Sequence, residues 1–313
     1  MDDKLLLSAP VLSNLLRPRQ YFALRAKRKN KARAFGMTSW REQDWLRSYA
    51  ACTYQGRGAI VDLGCFLGAT TIALAEGLAL NRKAKCKQIH AYDLFRWSKG
   101  FELWAEGKGI EGRFADGESF LAEFLKRSEP WRDYIAAHKE DLAQAQWRNG
   151  PIEFLLIDAM KTAETASAIL RAFFPNLIPA VSYVAHQDFA HAYTPWIHLI
   201  TFRLREYFSV VADVPASGTT VFRCEGALQG RLLDMDVSFS KTTIEEIEAA
   251  FEHSLSLVSN EKKGNIVAAK AMAYRERGDI TRARAILAAT AGNAPSLAGE
   301  LDQIKRLLAA SPA

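Results

Sequence analysis

Cysteine is scarce and scattered. The 313-residue chain has four, Cys52, Cys65, Cys86 and Cys224, and no Cys-x-x-Cys pair. That spacing argues against a zinc site and fits unpaired thiols in a reducing compartment. Long apolar runs are lacking too: Asp62 interrupts the most apolar stretch well short of the roughly 20 residues a bilayer span needs. A secretory leader is not expected, because Asp2 and Asp3 occupy the place of a positive segment and Pro10 and Asn14 break the apolar part. The expected location is the cytoplasm. What is present, 49% hydrophobic and 24% charged residues, is the balance of an ordinary folded chain with room for one sizeable core and a smaller unit.

The positive charge is concentrated at one end. Residues 1–36 hold nine Lys or Arg against Asp2 and Asp3, whereas the whole chain carries only +6, so the remainder is close to neutral. This basic helical arm, residues 1–38, has Leu15, Leu16, Tyr21, Phe22 and Leu24 among its cations. It suits an anionic membrane surface, nucleic acid phosphates, or packing of its apolar side on the main domain. A helix over 39–55, containing Trp40 and Trp45, then leads into the first strand.

Residues 58–78 organise the rest. Ile60, Val61 and Leu63 read as a strand buried on both faces, and Ile72, Leu74, Ala75 and Leu78 suit a helix packed back onto it. Between them Gly64 and Gly68 allow a ligand to approach the backbone at a helix N-terminus, and Asp62 at the strand end can neutralise a cation lying over the turn. Phe66 stands where a dinucleotide motif has its middle glycine, which weakens that reading. A plain strand-turn-helix without a ligand is the simpler alternative.

The same design recurs. Strands are expected at 88–93, 134–138, 151–157 and 180–189, several closing on an acid, with a helix over 162–174 and paired strands at 207–214 and 219–224 around 215–218. Trp97 and Trp104, in the long excursion from 95 to 130, either line a pocket or cover the sheet edge. Strands alternating with helices imply an α/β fold: a Rossmann-like, mostly parallel sheet with helices on both faces and its site at the carboxyl edge.

Asp62, Gly64 and Gly68, with the aromatic Phe66 between the glycines, resemble the first motif of class I S-adenosylmethionine-dependent methyltransferases, in the variant of the catechol and macrocin O-methyltransferase-like branch. The resemblance covers about residues 39–226. It implies S-adenosylmethionine as cofactor, with Asp93 accepting hydrogen bonds from its ribose and Asp141 near its adenine; otherwise Asp93 caps the next helix. It implies further that Asp158 and Asp188 bind Mg2+ or another divalent cation, while Lys161 takes the proton of a substrate hydroxyl. Phe189 stands where that branch often adds Asn or Asp, and His186, Gln187 or His191 are the available substitutes. Without a metal, Lys161, His186 and His191 are the candidate bases. A salt bridge between Asp158 and Lys161, with Asp188 capping a helix, is the structural alternative. The implied acceptor is a hydroxyl of a small molecule or sugar. An RNA methyltransferase holding phosphate with the arm is a further possibility, weakened for nucleobase chemistry by the lack of an Asn-Pro-Pro-Tyr-like segment or paired catalytic cysteines. The competing class is a non-catalytic or regulatory protein working through its arm and tail.

The tail, residues 227–313, is a helical appendage. Thr242 and Glu245 have capping-box spacing, and helices are expected at 242–259, 264–277, 280–291 and 296–310, punctuated by Gly264, Gly278 and Pro295. Ala269, Tyr274, Gly278 and Ala283 resemble part of one tetratricopeptide-type pair, suited to packing, homodimer formation or protein binding.

Overall fold

Each apolar run expected to be a strand is one in the computed structural model, which describes residues 34–85, 87–290 and 299–310. Most of the basic arm therefore lies outside the described residues. The strands are β1 (Ala59–Leu63), β2 (Ile89–Asp93), β3 (Ile135–Lys139), β4 (Ile152–Ile157), β5 (Tyr183–His186), β6 (Phe208–Asp213) and β7 (Thr220–Cys224). They form a mixed, mostly parallel sheet in the order β3-β2-β1-β4-β5-β7-β6. The fold is α/β and Rossmann-like. By its internal contacts the chain divides between Gln144 and Ala145.

In the first unit, β1, β2 and β3 pair in parallel, with Asp62 opposite Ala91 and Tyr92 opposite His138. All five residues of β1 are buried, which is why that strand has no polar alternation. Helix α1 (Trp40–Cys52) starts on Ser39, whose hydroxyl accepts the Glu42 amide, and packs against α2 (Ala69–Leu80). Gly77 permits that crossing, since a Cβ there would stand 2.7 Å from Ala50 Cβ and run into the Arg47 carbonyl. The excursion after β2 holds α3 (Glu102–Ala105) and α4 (Leu121–Ser128). Phe95, Trp97, Phe120 and Phe124 are buried there in one cluster, against which Phe66 and Trp104 pack.

In the second unit, β4 and β5 are parallel, and β7 runs antiparallel to both β5 and β6. Helix α5 (Ala163–Phe173) begins on Thr162, whose hydroxyl accepts the Thr165 amide. Helix α6 (Trp196–Arg203) was not legible in the sequence: six of its eight residues are buried, so no polar face marks a helical period. The tail forms α7 (Ile244–Ser256), α8 (Asn260–Glu276), α9 (Ile280–Ala289) and α10 (Glu300–Ala309). Two local expectations are corrected. The cap of α7 is Thr243, accepting the Glu246 amide, while Thr242 is buried and donates to the Ser238 carbonyl. Gly264 lies inside α8 and does not start it, because Asn260 to Lys263 already wind as helix.

These tail helices are not set apart from the strands of their unit. Lys262, fully buried, forms an ion pair with Asp213 at the end of β6 and donates to the Thr219 carbonyl at 2.6 Å. Arg203 of α6 binds Glu246 of α7 at 2.8 Å.

Candidate functional site

Five of the residues singled out in the first unit meet at the carboxyl edge of β1 and β2. Asp62 is fully buried. Its Oδ2 accepts hydrogen bonds from the hydroxyls of Thr71 at 2.6 Å and Thr70 at 2.8 Å, while Oδ1 has no partner among the described residues. Burial pushes this carboxyl up to about 6, against the pull of the two hydroxyls, and the nearby Asp93 adds to the rise. After Leu63 the turn is built from left-handed residues: Gly64 (φ 88), Phe66 (φ 45) and Gly68 (φ 90). The Gly64 amide donates to the Tyr92 carbonyl at 2.8 Å, and the Phe66 amide to Asp93 Oδ2 at 2.9 Å.

Asp93 ends β2, and its Oδ1 accepts the Phe95 amide at 2.7 Å. Burial raises its pKa, and the Phe95 and Phe66 amides oppose that rise. Two amides use only part of the capacity of a carboxylate, so Asp93 can still accept from two hydroxyls. Asp141, beyond β3, turns its Oδ1 to the Ala143 amide at 2.9 Å and closes its own loop. At Gly68 a Cβ would face Phe124 at 3.2 Å, so its positive φ and the packing of that ring also favour glycine. Trp97 is buried, its indole N–H donating to Glu102 at 2.6 Å, and Trp104 meets Phe66 edge-on at 5.3 Å. Both tryptophans cover the turn.

In the second unit the sheet brings Asp158 and Asp188 together just past β4 and β5. Lys161 lies between them, with Nζ 2.7 Å from Asp158 Oδ1 and 2.6 Å from Asp188 Oδ2. Burial would lower its pKa, but the two carboxylates outweigh that and raise it above the ordinary lysine range. An amine so held keeps its proton at neutral pH and is poorly suited to accept another group's. The pair does not fit a divalent ion while the ammonium is there. Among the described residues no three His, Cys, Asp or Glu side chains converge as a metal cage.

The two histidines part company. His186 belongs to the core: it is 5% exposed, its ring meets Phe222 edge-on at 5.9 Å, and burial lowers its pKa to about 4 although Asp188 opposes this. His191 lies at the surface of the loop after β5, 34% exposed, with Nδ1 3.2 Å from Glu300 Oε2. Burial would lower its pKa, but Glu300 and, more weakly, Asp188 raise it. The same Glu300 oxygen accepts the Ala192 amide at 2.6 Å, and Asn265 of α8 donates to the Ala190 carbonyl at 2.9 Å. The tail thus clamps the loop that carries Asp188 and His191. Glu300 had no functional signal in the sequence, since an acid in the first turn of a helix reads as a partner for the helix dipole.

No protein-family model and no curated protein sequence matches the chain. Among solved structures it is similar to the O-methyltransferase NovP, at 13% identity and a TM-score of 0.46 over 63% of this chain and 84% of that one. It is also similar to CalS11, a calicheamicin methyltransferase, at 16% identity and a TM-score of 0.42 over 70% and 88% of the two chains. A third similar structure is a putative rRNA-methylase from Clostridium thermocellum, at 13% identity and a TM-score of 0.38 over 60% and 99%.

Proposed function

We propose that the chain is an S-adenosylmethionine-dependent methyltransferase acting on a hydroxyl of a small molecule or sugar. The observation that carries this reading is Asp62, a buried carboxylate with one oxygen unpartnered among the described residues, beneath a left-handed turn. Such an oxygen is costly to bury unless a cationic ligand group completes it. Asp62 would face the amino group of the cofactor and Asp93 its ribose hydroxyls. When bound, S-adenosylmethionine supplies a methyl group on a positively charged sulfur. On the acceptor side, the Glu300 carboxylate accepts a hydrogen bond from His191 Nδ1–H, which leaves Nε2 with the lone pair; the Tyr193 amide makes only a longer contact, 3.4 Å, to Nδ1. His191 is therefore the base that takes the hydroxyl proton, and Glu300 positions it. The third N–H of Lys161 can hold the acceptor oxygen.

Calorimetry with S-adenosylmethionine and S-adenosylhomocysteine, followed by transfer assays on a panel of polyols and sugars, tests the reading. Asp93→Ala should weaken cofactor binding at least about 10-fold, the loss expected when charge-assisted hydrogen bonds to a ligand go. Glu300→Gln should leave cofactor affinity unchanged, lower kcat, and move the acid limb of the pH profile down, because the carboxylate that raises the His191 pKa is gone. The packing of Phe124 and Phe66 over the turn favours a second reading, a non-catalytic protein that keeps the fold. Folded protein that gives no heat with either cofactor form would support it.

A further inference from the structure

The pair Asp158 and Asp188 is where the resemblance expects a divalent metal, and a different cation already stands there. β4 and β5 run parallel with Ile157 opposite His186, so the residues just past the two strands leave the sheet side by side. The Lys161 amide donates to the Ala159 carbonyl at 2.8 Å, a tight reversal that brings Lys161 back to Asp158. Its Nζ then bonds one oxygen of each carboxylate, at 2.7 and 2.6 Å.

Both turns are tied down. The Thr194 hydroxyl donates to the Asp188 carbonyl at 3.1 Å, and the Trp196 indole to the Met160 carbonyl at 2.7 Å. No further oxygen comes from position 189, because Phe189 is fully buried against His198 and Phe222. A hard divalent ion gathers six or more oxygens at about 2.0–2.6 Å. Among the described residues it would have two side-chain carboxylates, each already bonded to an ammonium that would repel it.

We propose that Lys161 is the resident cation of this site: its ammonium takes the place of a divalent metal between Asp158 and Asp188 and fixes the two turns that carry them. The site is then metal-free by construction. Removing the ammonium should turn it into a cation site, since two carboxylates would face each other across the vacated space. This assignment concerns cation binding alone and holds whether or not the chain transfers methyl groups.

The test is Mn2+ titrated into the intact protein and followed by loss of the free-ion paramagnetic resonance signal. Wild type should bind none at this site up to millimolar Mn2+, and Lys161→Arg, which keeps a cation, should behave alike. Lys161→Ala should bind Mn2+ at least about 10-fold more tightly than wild type, as expected when a repelling charge leaves an oxygen-lined pair. Adding Asp188→Asn to that variant should abolish the gain. Lys161→Met, nearly the same length without the charge, guards against collapse of the smaller side chain, and circular dichroism checks that each variant is folded. Tight Mn2+ binding by wild type that disappears in Asp188→Asn would overturn the proposal. So would folded Lys161→Ala and Lys161→Met proteins that gain no affinity.

Discussion

Asp62 shows what a buried carboxylate costs at the scale of one side chain. Its carboxyl is raised from 3.8 to about 6 by burial, so the folded chain holds this proton more tightly than the unfolded chain. Stability from this group is therefore full below the unfolded value and is lost as pH rises through about 6. At pH 7.5 the penalty approaches about 3 kcal/mol, taking about 1.4 kcal/mol for each tenfold change in proton affinity. Asp62→Asn keeps an oxygen for Thr70 and Thr71 and removes the charge. The cofactor-free variant should melt several degrees higher at pH 7.5, roughly 2–4 °C per kcal/mol for a chain of this size, yet bind S-adenosylmethionine at least about 10-fold more weakly. Wild-type affinity should fall as pH drops below about 6, because the cofactor's amine needs the ionised carboxylate. A variant neither more stable nor weaker in binding would remove Asp62 from the site. Asp62 and Asp93 were legible because an acid closing an apolar strand stands out locally; Glu300 was not, because its partner lies 109 positions earlier, at His191.

At the scale of elements, close approach decides more than propensity. Gly77 sits within α2, where alanine would ordinarily add about 1 kcal/mol of helix stability. A Cβ there would strike the Arg47 carbonyl of α1, a backbone atom that cannot swing aside, and stand 2.7 Å from Ala50 Cβ. Overpacking of this kind costs typically about 1–3 kcal/mol. Gly77→Ala should therefore destabilise the protein by up to about 2 kcal/mol net of the propensity gain, read as a lower urea midpoint. An unchanged or higher midpoint would mean that α1 yields. The Arg47–Glu76 ion pair at 2.5 Å spans the same contact and should lose its geometry in the variant. Most strands and helices were legible in period and length, whereas α6 was hidden by burial on nearly all sides and the cap of α7 by two adjacent threonines of equal capping propensity.

For the whole molecule, buried neutral histidines set the acid limit. Burial lowers His186 to about 4 and His90 to about 4, His138 adding to the latter; it lowers His198 to about 3, with His186 adding. Among the described residues His198 has no hydrogen-bond partner on either nitrogen, and it packs on Phe189 and Phe251. Unfolding frees these rings to bind protons near their ordinary 6.5, so below that pH the unfolded chain binds more protons than the folded one. Stability should fall as pH drops from about 6.5 to 4, with the raised carboxyls of Asp62 and Asp93 opposing in part. His198→Leu, apolar among apolar neighbours, should flatten that fall and raise the melting temperature at pH 5. An equally steep pH dependence in His198→Leu would exclude this histidine as a source.

The strands, most of the helices, the glycine turn and the strand-end acids were determined by the sequence alone, because local burial and backbone conformation write themselves into short stretches of residues. Tertiary structure decided what those residues touch. Lys161 is a base in one arrangement and a counter-ion in another; the register of β4 on β5 sets both carboxylates against its ammonium, the geometry of a counter-ion. His186 and His191 are five positions apart, yet one is sealed against Phe222 while the other is held at the surface by Glu300. The tail read as an appendage because its helices have their own period; what the sequence did not show is that Lys262 pairs with Asp213 at the end of β6 and Asn265 donates to the Ala190 carbonyl past β5. Contacts between residues far apart in the chain leave no local pattern, and such contacts set the surroundings of Lys161, His186 and His191.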